Sequence, residues 1–219
     1  YLVGKKRFEK EPDAADSALI EKIEASEIPY WFPSDRMIEG SEARRNDPFG
    51  ITHIHHFFST RNLLVLAHLH NRFRSNGLVY WFWINAALRY LSRMSKLGTA
   101  YYFHGGGGAV NAGILGTLYI PSFSVENSVF DTLATRLSKL ASVLTKLRGN
   151  KPIISCQSTT TYPMPSDTVD YIFLDPPFGA NLYYSELSFL WEAWLKVWTN
   201  NQLEAIENRP QGRSIDEYR

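Results

Sequence analysis

Cysteine is nearly absent: Cys156 is the only one in 219 residues. That excludes a disulfide framework and a thiolate zinc site within the chain. A single thiol on a predicted strand is expected to be a small core residue. No run of about 18 apolar residues occurs, so no membrane span is expected. No charged, apolar leader opens the chain, which makes the cytoplasm the expected compartment. Neither sign of charge dominates: 23 Lys and Arg against 22 Asp and Glu leave +1, so no global basic field announces a polyanion. Local basic clusters do occur at Lys5-Lys6-Arg7, Arg44-Arg45 and Arg72 with Arg74. Taken singly, each reads as solvated surface, although a local basic face can still carry phosphate contacts. The first residue is Tyr1 rather than Met, and the last, Arg219, follows no stop-like pattern. The sequence is therefore expected to be an internal piece of a longer protein.

What is present is enough for a core, with 44% hydrophobic and 14% aromatic residues. The layout predicted is an N-terminal helical and aromatic arm over 1–50, an α/β domain over 51–199, and a polar tail or linker over 200–219. Glu11-Pro12-Asp13 opens a helix carrying Leu19, Ile20 and Ile23. The proline-bounded run from Ile28 to Pro33 is expected to drape over the main domain, with Tyr30 and Trp31 packing. Ser59 is the N-cap of a helix running to about Phe73. A second helix is predicted over 78–97, buried at its start because 79–84 is apolar all round. Ser128 to Arg148 reads as an amphipathic helix ended by Gly149, and Tyr183 to Thr199 as a helix with a Leu/Trp stripe. Strands are predicted over 99–104, 152–156 and 168–174. Helices alternating with strands give the α/β rhythm.

His53, His55 and His56 invite a metal reading. Their spacing does not make a helical pair and no carboxylate lies close by in sequence, so no metal site is expected.

The most informative stretch runs from Thr168 to Gly179. Its first half, Val169-Asp170-Tyr171-Ile172-Phe173-Leu174, predicts a strand buried on both faces. It stops at Asp175-Pro176-Pro177-Phe178. Two prolines donate no backbone hydrogen bond and have φ fixed, so the loop is stiff and its carbonyls stay free to accept. A carboxylate, a rigid carbonyl and an aromatic ring at the carboxyl end of a strand stand where open α/β sheets bind ligands. Two acceptors there can hold the hydrogens of an exocyclic base amine, so that its lone pair points at an electrophilic methyl group. An aromatic ring can stack on a base taken out of the helix.

These residues resemble the signature of amino-methyltransferases that use S-adenosylmethionine: Asp, Asn or Ser, then Pro-Pro, then Tyr or Phe. The run from Pro165 to Asp170 is similar to the "P-D-x-S-V-D" lead-in of that family. Gly50-Ile51-Thr52 followed by 57–64 resembles the "G-I-T … L-F-T-P-R-Q-L-L" segment of large adenine-specific DNA methylases. The run from Gly179 to Leu187 resembles their "Y-x-D-N-x-x-Y-x-D-L" continuation. The resemblance spans Gly50 to about Lys196. It implies an incomplete Rossmann-like sheet, S-adenosylmethionine as cofactor, DNA as partner, and Asp175, Pro176, Pro177 and Phe178 as catalytic positions.

The same resemblance places a Gly-Asp pair near the cofactor after the 152–156 strand. Gln157 and Ser158 stand there instead, so Ser158 is the candidate contact beside Asp175. The glycines Gly105–Gly108 follow a predicted strand, but no amphipathic helix follows them; they read as a flexible loop, and no complete cofactor loop is found. The expected activity is methylation of adenine N6 in DNA. Two alternatives stay open: methylation of guanine N2 in RNA, and a non-catalytic nucleic-acid-binding segment.

Overall fold

A computed structural model describes residues 2–3, 6–7, 10–75, 77–99, 103–104, 110–111, 113–146, 154–155, 157, 164–177 and 179–218. Its helices are α1 (Ala14–Glu24), α2 (Ser41–Arg44), α3 (Thr60–Phe73), α4 (Leu78–Leu91), α5 (Val129–Lys146), α6 (Tyr184–Leu195) and α7 (Ile215–Tyr218). The strands are two-residue pieces: β1 (Leu2–Val3) with β2 (Lys6–Arg7), and β3 (Lys96–Leu97) with β4 (Val110–Asn111), both pairs antiparallel.

The core lies where α3, α4 and α6 meet. In α4, Tyr80, Ile84, Ala87, Leu88 and Leu91 are buried, the i, i+4, i+7, i+8, i+11 stripe of one helical face. In α3, Leu63, Leu66 and Ala67 face them, and in α6 Phe189, Leu190, Ala193 and Trp194 do. Ser59 caps α3 by accepting from the Asn62 amide at 3.2 Å. Polar anchors cross between the helices. The Trp83 indole donates to the Leu133 carbonyl on α5 at 2.8 Å, and the Trp191 indole donates to the Asn85 carbonyl on α4 at 3.1 Å. Residues preceding α3 belong to the same core: Met37, Ala43 and Ile51 are buried in it, and Ile28 and Phe32 pack on it.

Three expectations differ from the structure. The start of α4 is exposed, with Leu78, Val79 and Phe82 turned outward, because only one face of the helix meets a neighbour. Thr99 and Phe103, the described ends of the predicted strand 99–104, are helical apart from the turn at His104. The predicted strand 168–174 has no strand partner among the described residues, and Tyr171 to Leu174 are exposed, Tyr171 at 79%. A buried parallel strand needs neighbours on both sides. Of the neighbouring strand predicted over 152–156, only Ile154 and Ser155 are described, without strand pairing. The described residues thus form a mixed, mainly helical body with little strand, and the Rossmann-like sheet is not formed among them.

Candidate functional site

The Asp175 segment leaves a turn in which Asp167 takes a left-handed φ of 60° and the Thr168 hydroxyl donates to the Pro165 carbonyl at 2.8 Å. From there to Pro177 the chain has neither helix nor strand. Asp175 and Pro176 are exposed, and Pro177 is half-buried. The Asp175 carboxylate has no partner among the described residues, so its oxygens are available to donors from solution. Phe178, Ser158 and Gly105–Gly108 lie outside the described residues.

Beyond the prolines the chain is held firmly. Gly179 takes φ 53°, a conformation glycine adopts without strain, and its carbonyl accepts from the Glu207 amide at 3.1 Å. The Ser185 amide, in the first turn of α6, donates to Glu204 Oε1 at 2.8 Å, while Arg213 pairs with Glu204 Oε2 at 2.8 Å. Inside this clamp lies Glu186, 0% exposed. Its Oε2 accepts from the Ala43 amide at 2.7 Å and its Oε1 from Asn208 Nδ2 at 2.9 Å. Burial pushes the Glu186 carboxyl up, opposed by the Ala43 amide and Asn208. A second buried carboxylate, Glu42, accepts from the Leu118 amide at 3.1 Å and pairs with Arg45. Residues 204–213, read as part of a polar tail or linker, make most of these contacts.

The segment 50–64 builds a different feature. Ile54–Phe57 is a short 3₁₀ turn, and it stacks the three histidine rings with centroids 4.2 to 5.6 Å apart. Burial holds the His55 and His56 rings below the usual imidazole range, and the neighbouring histidines lower both further. No group of His, Cys, Asp or Glu among the described residues is arranged to hold a metal ion. Beside the rings runs a groove of 250 Å³ lined by Phe49, Ile51, His55, His56, Thr60 and Arg93, among others. No carboxylate lines it. Arg93 is exposed, and its guanidinium has no hydrogen-bond or ion-pair partner among the described residues. The nearby Glu126 is already occupied: Arg61 holds both its oxygens at 2.8 Å, and the Ser59 hydroxyl donates to Oε1.

Comparison with protein-family models, curated proteins and solved structures gives no match in any of the three.

The structure thus leaves Asp175 and Pro176 accessible on one loop and adds residues that sequence reasoning missed: Asn208, and Glu186 as a buried group. Glu186 had a legible signal. Positions 186, 189, 190, 193 and 194 form the apolar face of α6, and a single acid stands in that series. Arg89 and Arg93 were expected one turn apart at the polar end of a helix over 78–97, facing phosphate or water; the helix ends at Leu91, Arg89 donates to the Gly113 carbonyl at 3.1 Å, and Arg93 is exposed.

Proposed function

We propose that the protein transfers a methyl group from S-adenosylmethionine to an exocyclic amine of a nucleic-acid base, adenine N6 in DNA, on a Rossmann-like sheet to which the 168–174 segment contributes. The observation that carries this reading is the Asp175-Pro176 pair, an unpartnered carboxylate joined to a donorless, rigid loop whose far side is fixed through Gly179. Asp175 and the Pro176 carbonyl accept the two amine hydrogens, and Phe178 stacks on the base. Positioning and charge stabilisation supply the rate, with no covalent intermediate. The cofactor supplies the electrophilic methyl. Ser158 remains the candidate contact for it.

The Arg93 groove supports nucleic acid as the partner. The Arg93 guanidinium, within electrostatic reach of Glu126 but without a hydrogen-bond or ion-pair partner among the described residues, suits a backbone phosphate. No helix among the described residues is long and apolar enough to cross a membrane.

In the full-length protein, Asp175→Ala abolishes methyl transfer to duplex DNA at unchanged folding, a loss on the order of 3 kcal/mol or more in the transition state. Phe178→Tyr retains activity. Full activity of Asp175→Ala removes the assignment, and methylation of RNA but not DNA transfers it to the guanine N2 alternative. Arg93→Ala weakens binding to any DNA sequence alike and lowers the salt dependence by about one phosphate contact. An unchanged salt slope in a filter-binding titration removes the groove from the interface.

A further inference from the structure

We propose that Glu186 is a positioning residue for the Asp175 loop, acting through Asn208 and the bond between Glu207 and Gly179; only its activity readout rests on the methyl-transfer reading. Burying an ionisable group on the apolar face of a helix is costly, and a leucine would fill the same space. The carboxylate has a specific use here, because it accepts hydrogen bonds on two sides at once. Ala43 donates from the segment preceding α3, and Asn208 donates from the segment following α6. An amide side chain would turn its own NH₂ against one of these donors. An aspartate, one methylene shorter, would not span both.

The fit around the carboxylate is close. A Cβ built on Gly40 would stand 1.9 Å from Glu186 Cδ, so glycine is required there for the carboxylate to sit where it does. Asn208, 1% exposed, is itself fixed by reciprocal backbone bonds with Arg213, both 3.0 Å. The next residue back, Glu207, donates its amide to the Gly179 carbonyl. Gly179 is separated from Asp175 by three residues, two of them prolines that cannot absorb a change in φ. Displacing the carboxylate therefore removes the side-chain anchor of Asn208 and loosens its neighbour Glu207, whose amide holds the far end of the stiff loop.

Two substitutions reach the carboxylate from opposite sides, Glu186→Gln and Gly40→Ala. Asn208→Ser, which removes one donor, serves if either variant fails to fold. Leu190→Val is a control for general destabilisation. Residue-level amide exchange on the whole chain is read at Glu207, and methylation kinetics are read with the full-length protein and duplex DNA. The expected result is exchange at Glu207 about tenfold faster in the test variants, with the control unchanged at matched global stability. Methylation shows a kcat about 100-fold lower, with the KM for DNA unchanged, as for a misplaced reacting group. Unchanged Glu207 exchange in the test variants overturns the proposal, as does loosened exchange with undiminished kcat. If the unmodified full-length protein methylates nothing while Glu207 protection is lost in the variants, the methyl-transfer reading fails and the positioning role of Glu186 stands.

Discussion

His70 shows how a single side chain sets a pH dependence. Its ring lies between Trp31, with centroids 4.6 Å apart, and Trp81, 4.5 Å apart, and Lys196 is close enough to repel a proton. Burial first, and Lys196 second, push its pKa down to about 4. The unfolded chain binds the proton more readily than the folded one. The contribution is therefore fully present above about pH 6.5 and is lost as pH falls from there through 4. Because the ring is only half-buried, solvent reduces the effect to roughly 1 kcal/mol. Urea unfolding at pH 7 and pH 4 should show this loss, and His70→Gln should flatten it. An identical pH profile in the variant would assign the loss to other groups.

At the scale of elements, helices were the legible part of the sequence. The cap at Ser59 and the end at Phe73 were both predicted, because capping and 3.6-residue spacing are local signals. Tyr184–Leu195 likewise lies within its predicted span. The strands were not legible, because a run such as Tyr171 to Leu174 announces only that it can be buried. Whether it is depends on distant partners. The exposed first turn of α4 has the same cause: composition made it apolar, but packing supplied one neighbouring face. In the candidate site, Asp175 to Phe178 were singled out by the motif, and the structure adds that Asp175 and Pro176 are exposed. The clamp on Gly179 could not, since it joins residues far apart in sequence. Leu190 on α6 is 0% exposed in the shared core. Leu190→Ala should cost about 2–5 kcal/mol, and a change below 1 kcal/mol in chemical denaturation would mean that α6 is not integral to that core.

For the whole molecule, the apolar surface left by Tyr171 to Leu174 and the exposed Phe130, Leu137 and Val143 of α5 bears on ligand binding. A cofactor held over strand ends also needs a glycine loop after a first strand and an acid at position 158, and the sequence shows neither convincingly. The chain on its own is expected to bind S-adenosylmethionine weakly or not at all. Calorimetric titration decides this. Micromolar binding that disappears on replacing Gly106 and Gly107 would place the pocket in that glycine loop instead.

The contacts of Glu186 with Ala43, and of the Gln211 amide with the Glu39 carbonyl at 2.6 Å, join residues 143 and 172 positions apart. A ribosome makes the chain in one direction, so the segment around Ala43 emerges long before its acceptor exists. Until residues 186–211 follow, the Ala43 amide has only water to bond, and Gly179 has no anchor. The loop bearing Asp175 is therefore among the last parts of the body to acquire its shape, and a chain halted before residue 207 carries the motif without its support.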